Sequence, residues 1–303
     1  MSTLENLSSN GVRYLNDSQP TGDPSGWGLG VDVSLDAREP AVTWSREYVA
    51  RVEQNLGRAT AERLGIFALP DNFRLTVIVP VFNEAATVDQ VVERLRRTGL
   101  PLEMILVDDG SNDGTGERII ALAEQATDVV VIRHPHNLGK GAAIRSGLRA
   151  ASGEVVVVQD ADLEYNPDDL RYLLQPIVAG EADVVYGTRY GHTDRQISPW
   201  WHEQVNGLIT TLANIAIGLR LSDVETCYKM VRREVVEQVA GELRENRFGI
   251  EIELTARLAR SRARFAQRRI RYHHRWYDEG KKIGWRDGVS ALWCIFYYGL
   301  LRR

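Results

Sequence analysis

Between Arg74 and Arg189 the chain repeats one pattern: a short uninterrupted apolar run, then a longer amphipathic stretch, then another apolar run. The apolar runs are "RLTVIVP", "EMILVDD", "DVVVIRH", "GEVVVVQD" and "ADVVYGTR". Between them, "ATVDQVVERLRR", "GTGERIIALAEQA", "GKGAAIRSGLRAA" and "PDDLRYLLQPIVA" carry helical spacing. Strands that are apolar on both sides are buried on both faces, and the helices between them supply the crossovers that parallel strands require. The expected fold is therefore α/β, a mostly parallel sheet flanked by helices. Sheets of this kind meet ligands at the carboxyl ends of their strands. The unusual residues stand there: "PVFNE" after the first run, "DDGSNDGT" after the second, "DADLE" after the fourth.

The pattern divides the chain. Residues 1–72 are expected to form an arm and a helix. The first 40 or so are rich in Ser, Asn, Asp, Gly and Pro without periodicity, which predicts a flexible arm, while 43–66 carry a rough apolar stripe of Val49, Val52, Leu56, Ala59 and Leu64. Residues 73–195 hold the repeating core. Residues 196–303 are less regular: "WHEQVNGLITTLANIAIGL" and "FGIEIELTARLARS" read as helices and "ARFAQRRIRYHH" as an edge strand. The last stretch, "WRDGVSALWCIFYYGLLRR", is apolar, aromatic and closed by two arginines.

No run reaches the roughly 18 to 20 uncharged apolar residues that span a bilayer, and the polar N-terminus does not read as a signal peptide. Cys227 and Cys294 have no metal-ligand spacing, so free thiols in a reduced cytoplasmic setting are expected. The net charge of −4 hides an asymmetry. Residues 256–303 hold 13 Lys and Arg against Asp278, Glu279 and Asp287, a balance of +10 that leaves −14 for the rest. A basic end on an acidic body points to an anionic partner (phosphate, nucleic acid or a membrane surface) or to a solvated face.

Asp160, Asp162 and Glu164 alternate. In extended backbone they share a face and converge, and three such anions need a cation among them. A hard divalent ion, Mg²⁺ or Mn²⁺, takes oxygen ligands and shares them with substrate phosphates. Helix capping by Asp160 or Asp162 accounts for the same residues. Asp108 and Asp109 end the second strand, where an Asp can accept a hydrogen bond from a nucleobase imide with Glu84 beside it; "DDGS" is also a common cap. Gly139 and Gly141 around Lys140 at a helix start suit a phosphate, as they suit a plain helix start, and the spacing is not that of a P-loop.

In this order, "VIVPVFNE", "VDDGSNDGT", "NLGKGAAIRSG", "DADLEYNPDDL" and "YGTRY" resemble the family 2 glycosyltransferases with the GT-A (Rossmann-like) fold, from about Arg74 to the C-terminus. Further on, "LSDVETCYKMVRREV", "NRFGIEIELTARLAR" and "RWYDEGKKIGWRDG" look like the dolichol- and polyprenol-phosphate mannose and glucose synthases. The resemblance implies a GT-A core with an N-terminal extension and C-terminal amphipathic helices. Residues 73–195 would bind the nucleotide sugar, and 196–303 would be the acceptor-binding, membrane-proximal region of the same domain.

It also implies roles. Pro80, Phe82, Glu84, Asp108, Asp109 and Lys140 would contact the nucleotide, and Asp162 and Glu164 the metal. Many relatives carry Gln where Glu164 stands, so this chain adds an anion there. The expected catalytic set is Asp160, Asp162, Arg189 and Glu251, with Arg275, Lys281 and Lys282 at the acceptor phosphate.

The implied activity is a metal-dependent, inverting transfer of mannose or glucose from a UDP- or GDP-sugar to polyprenyl or dolichyl phosphate. A lipid phosphate is already ionised and needs no strong base. A hydroxyl acceptor, on a glycan or small molecule, would need one, and Asp223, Glu225, Glu251 and Glu253 are available. A non-catalytic nucleotide-sugar-binding protein is the other alternative. The expected setting is the cytoplasmic membrane face, held peripherally and without nucleic acid. "ALWCIFYYGLL" is too short to span and suits an interfacial helix, a buried one or a dimer contact. Donor base, sugar, lipid length, metal preference and oligomeric state are not readable from the sequence.

Overall fold

The five apolar runs fold as five parallel-sheet strands, and their register lines up the ends that matter. In the computed structural model, which describes residues 6–7, 13–15, 45–190, 200–274 and 285–301, the strands are β1 (Asn6–Leu7), β2 (Arg13–Leu15), β3 (Leu75–Val81), β4 (Leu102–Asp108), β5 (Val129–Arg133), β6 (Val155–Val158), β7 (Val184–Thr188), β8 (Lys229–Arg232) and β9 (Phe265–Arg269). They form one sheet in the order β1-β2-β9-β7-β8-β6-β3-β4-β5. Strands β3, β4, β5 and β6 are parallel, with Val81 opposite Asp108 and Ile78 opposite Val158. The ends of β3, β4 and β6 therefore open on the same edge.

The helices are α1 (Arg46–Leu56), α2 (Arg58–Arg63), α3 (Val88–Arg97), α4 (Thr115–Glu124), α5 (Lys140–Ala150), α6 (Leu170–Val178), α7 (Trp200–Ile217), α8 (Arg233–Ala240), α9 (Ile250–Arg260) and α10 (Trp285–Cys294). A π-helical turn, Ile295–Leu301, continues α10. The four crossover helices expected between Ala86 and Ala179 are present within two residues at most ends; α6 is preceded by a 3₁₀ turn at Pro167–Asp169, with Asn166 accepting from the Asp168 N–H at 3.0 Å. The helix expected over 43–66 is two helices, broken at Gly57, whose φ of 80° no side chain favours.

Three features differ from the sequence reading. Strand β8 lies antiparallel between β6 and β7; its four residues, Lys-Met-Val-Arg, are too short and too charged at both ends to stand out. "ARFAQRRIRYHH" contains β9, which is flanked by β7 on one side and by β2 on the other, so in the described sheet it is not an edge. Its polar residues do not mark one exposed face. Burial fades along it, from Phe265 and Ala266 inside to Arg269 outside. The N-terminal arm also contributes two short strands, β1 and β2, the second joined to β9.

Helix α9 is the element that brings charge into the interior. Every residue from Ile250 to Leu258 is buried, Glu251, Glu253 and Arg257 included. Ions this deep persist only when paired. Glu253 accepts from the Arg244 and Glu245 N–H groups at 2.8 and 2.7 Å and from the Arg257 guanidinium at 3.0 Å.

Candidate active site

The carboxylates of "DADLE" sit on a turn, not on an alternating strand. Strand β6 stops at Val158, and Leu163 takes φ 67°, a left-handed conformation that costs a non-glycine residue about 1–2 kcal/mol. The Asp162 carboxylate accepts the Glu164 N–H at 3.0 Å, closing the turn. The expectation of extended backbone fails here because the chain must swing from β6 into the 3₁₀ turn at Pro167. Glu164 is tied down by distant residues: its carboxylate accepts from the Tyr272 hydroxyl at 2.5 Å and its carbonyl from the His273 N–H at 2.8 Å. Asp162 is pushed up to about 7 by burial and by the charges of Asp160 and Glu164. This is the electrostatic mark of clustered anions whose charge the protein does not fully neutralise.

Asp160 is partly neutralised. Its Oδ1 lies 2.7 Å from Lys140 Nζ, which is 3.2 Å from Glu251 Oε1. Glu251 in turn pairs with Lys229, itself nearly inaccessible. The row Asp160, Lys140, Glu251, Lys229 alternates in sign and joins the β6 turn, the start of α5, α9 and β8. Burial works to lower the Lys140 ammonium, but Asp160, Cys227 and Glu251 outweigh it and hold the group well above its ordinary range, so the lysine stays charged.

The start of α5 does not offer a phosphate cradle. The Gly141 and Ala142 N–H groups donate to the Asn246 carbonyl at 2.8 and 3.2 Å, and Leu138 and Gly139 donate to Asp109 at 2.9 and 2.7 Å. The glycines have a packing reason. A Cβ on Gly139 would stand 2.3 Å from the Asn246 oxygen, and one on Gly141 2.2 Å from the Glu245 oxygen. Backbone approaches backbone here, and only glycine permits it.

The aspartates of "VDD" hold loops. Asp109 is buried and also accepts from His134 Nδ1 at 2.7 Å, so protein donors reach both its oxygens. Asp108, fully buried, accepts from the Ser111 N–H at 2.9 Å and from Arg133 Nε at 3.0 Å. Glu84 accepts from the Thr87 hydroxyl at 2.8 Å, and its N–H donates to Thr115 Oγ1 at 3.0 Å. Asn83, at φ 52°, links the same two strand ends: its N–H donates to Ser111 Oγ, and its side-chain oxygen accepts the Asn112 N–H, each at 2.9 Å. Pro80 and Phe82 are half-buried at the end of β3.

Arg189 does not point at open space. It grips Asp223 with two bonds, 2.6 and 2.9 Å, and its guanidinium lies 5.2 Å from the centre of the Tyr272 ring. Burial alone would lower the arginine and raise the aspartate. Their mutual attraction wins, holding Arg189 above and Asp223 below its ordinary value. Of the four carboxylates available as a base, Asp223, Glu251 and Glu253 are committed to cations; Glu225 is raised by burial, with Asp223 and Glu251 adding to the rise against Arg189 and Lys229.

Arg275, Lys281 and Lys282 lie outside the described residues. Lys229, Asp223 and Tyr272 gain site contacts that the sequence reading did not assign. Lys229 sits inside a motif quoted for family likeness alone, Asp223 is expected only as one of four candidate bases, and Tyr272 reaches Glu164 across 108 positions, with no local signal. Among the described residues, no three His, Cys, Asp or Glu side chains are grouped closely enough to hold a metal ion by themselves.

Residues 76–240 match the family model "Glycosyl transferase family 2". The chain belongs to this family. Among curated family relatives it is 34% identical over 173 residues to a polyprenol monophosphomannose synthase of Mycolicibacterium smegmatis, a match covering 55% of this chain and 64% of that one. It is 31% identical over 169 residues to the undecaprenyl-phosphate 4-deoxy-4-formamido-L-arabinose transferase of Serratia proteamaculans, covering 54% and 50%. The match thus spans between half and two thirds of the length of these relatives. A solved glucosyl-3-phosphoglycerate synthase from Mycobacterium tuberculosis, in complex with Mn²⁺, uridine diphosphate and phosphoglyceric acid, shares the fold at TM-score 0.56 and 21% identity, over 85% of this chain and 84% of that one. The GT-A architecture expected from the sequence is the one observed.

Proposed function

We propose that this family 2 glycosyltransferase moves a hexose from a nucleoside-diphosphate donor to polyprenyl phosphate, with inversion, at the cytoplasmic face of a membrane. The observation that carries the acceptor class is the state of the carboxylates. Asp223, Glu251 and Glu253 are all locked to cations, which leaves Glu225 as the sole remaining candidate base of the four. A hydroxyl acceptor requires deprotonation; a phosphate oxygen arrives ionised and does not. The relatives named above, an undecaprenyl-phosphate sugar transferase and a polyprenol monophosphomannose synthase, support the same class.

Hard oxygen donors at Asp162 and Glu164 suit Mg²⁺ or Mn²⁺, and the elevated Asp162 carboxyl fits a position that awaits positive charge. With no complete ligand set among the described residues, the protein would furnish part of the shell and the donor diphosphate the remainder. When bound, the ion supplies Lewis-acid stabilisation of the leaving diphosphate. Lys140 brings a cation to Asp160 and would orient that carboxylate beside the donor. Pro80 and Phe82 offer apolar surface to the nucleobase; Asp108, Asp109 and Glu84 act by fixing the loops around it. Arg189 braces the segment that carries Asp223 and Glu225. Arg275, Lys281 and Lys282 are assigned to the acceptor phosphate on the motif alone.

The test is transfer from a panel of UDP- and GDP-hexoses to a short-chain polyprenyl phosphate, with Mg²⁺ or Mn²⁺, alongside Asp162→Asn. Product is expected with one donor, strongly reduced in the variant and in EDTA, while the variant's unfolding curve stays that of a folded protein. Transfer to a free sugar hydroxyl in preference to every lipid phosphate would overturn the acceptor assignment. Full activity in EDTA would overturn the metal.

A further inference from the structure

Tyr272 stands just past β9, where the chain runs back along the turn that carries the carboxylates. That crossing is fastened at three successive residues. The Arg271 N–H donates to Asp169 at 2.6 Å, and the Arg271 Nε donates to the same carboxylate at 2.9 Å. Tyr272 forms an antiparallel bridge with Tyr165, and the His273 N–H donates to the Glu164 carbonyl at 2.8 Å. The backbone of Tyr272 is thus held from both sides.

Its ring is held as well. The ring centre lies 5.2 Å from that of Tyr165, edge to face at 69°, and the Arg189 guanidinium stands 5.2 Å from it. Both neighbours are anchored in turn. Tyr165 is buried, packs on Tyr228 with ring centres 4.7 Å apart, and accepts the Cys227 N–H at 2.9 Å. Arg189 is clamped on Asp223. The polar tip of this fixed side chain meets Glu164: the hydroxyl donates to Oε2 at 2.5 Å, the short contact of a hydrogen bond to a charged acceptor.

A glutamate is long, and ordering its side chain around an ion costs conformational entropy. A donor on one oxygen sets the carboxylate before the ion arrives, which is how carboxylates that bind metals are commonly held. Asp162 is shorter and is fixed within the turn itself, where it accepts the Glu164 N–H at 3.0 Å. Glu164 has its fixed donor from a segment 108 positions away.

We propose that Tyr272 is a positioning residue for the divalent cation: its hydroxyl holds the Glu164 carboxylate in the orientation that ligates Mg²⁺ or Mn²⁺. This rests on the metal reading of Asp162 and Glu164 given above. Because Arg189 lies on the same ring, the Asp223 clamp and the Glu164 carboxylate share one support.

The probe is Mn²⁺, followed by its electron paramagnetic resonance signal and titrated against the full chain with UDP or with GDP, each corrected for the nucleotide alone. Tyr272→Phe removes one oxygen and keeps the ring contacts, so its circular dichroism should match the parent. Its Mn²⁺ affinity is expected to fall by about ten- to a hundredfold, while nucleotide affinity measured calorimetrically in EDTA stays unchanged. Glu164→Gln keeps an oxygen for the hydroxyl but brings no charge to the ion, and should lose Mn²⁺ affinity to a similar degree. A Tyr272→Phe protein that is less stable yet binds Mn²⁺ as the parent does overturns the proposal, since the hydroxyl then only satisfies a buried carboxylate. Equal losses of Mn²⁺ affinity and of metal-free nucleotide affinity overturn it too, as the sign of a disturbed loop. Parent-like Mn²⁺ binding by Glu164→Gln does so however Tyr272→Phe folds. If the intact chain binds no Mn²⁺ with either nucleotide, the metal reading itself falls and takes this one with it.

Discussion

Replacing Gly141 with alanine separates two readings of "NLGKGAAIRSG". If the glycine exists so that a phosphate can approach, the added methyl should weaken nucleotide binding and leave stability alone. The geometry predicts otherwise. The methyl would stand 2.2 Å from the Glu245 oxygen and 3.0 Å from the Asn246 carbonyl carbon, both main-chain atoms that cannot rotate away. Relief requires the 245–246 segment and the start of α5 to separate. That strains or breaks the bonds from the Gly141 and Ala142 N–H groups to the Asn246 oxygen. Overpacking costs about 1–3 kcal/mol and each lost hydrogen bond about 1 kcal/mol, so a loss of about 2–4 kcal/mol is expected after partial relaxation. For a chain of this size that is roughly a 3–6 °C fall in Tm. The assay is thermal and urea unfolding of Gly141→Ala, with nucleotide affinity measured on the folded protein. Lys140 moves with the helix start, so a smaller affinity loss should accompany the instability. An unchanged Tm with a large affinity loss would refute the packing argument and restore the phosphate reading.

Two further outcomes follow from buried charge. Asp223→Ala strands the Arg189 guanidinium and should cost about 3–5 kcal/mol in urea unfolding, whereas Arg189→Ala combined with it should recover part of that loss; a double variant no more stable than Asp223→Ala would count against the pair. Glu103 accepts from the Thr76 and Ser152 hydroxyls, each at 2.5 Å, and from the Ser152 N–H at 2.8 Å, and these bonds overcome the effect of burial to hold its carboxyl below the ordinary value. A depressed carboxyl adds stability that is present above the unfolded-state value near 4.3 and lost as pH falls through the folded one. Glu103→Gln should therefore be less stable than the parent by about 1–3 kcal/mol at pH 7, with the gap closing in strong acid; a gap independent of pH would exclude this account.

The sequence by itself determined the sheet and the edge where chemistry gathers. Short valine-rich runs with no polar alternation, bounded by turn residues, read as buried strands, helices between them supply parallel crossovers, and loops at the strand ends then lie together. That much follows from local spacing, because periodicity and strand direction are properties of contiguous residues. Partnership is not. Only the tertiary structure decided that Lys140 lies between Asp160 and Glu251, that Arg189 grips Asp223, and that Gly139 and Gly141 make room for a segment a hundred residues further on. It also decided that "DADLE" runs through a turn, since the path into Pro167 lies beyond what alternation can report. The inward polarity of α7, whose Asn206 and Asn214 bond to Asp223 and to the Leu221 backbone, was equally hidden. "WHEQVNGLITTLANIAIGL" reads as an apolar helix either way, and which stripe faces the protein depends on what waits to accept its hydrogen bonds. A buried ion or amide is stable only with a partner, and the partner is set by three-dimensional proximity, which sequence distance does not encode.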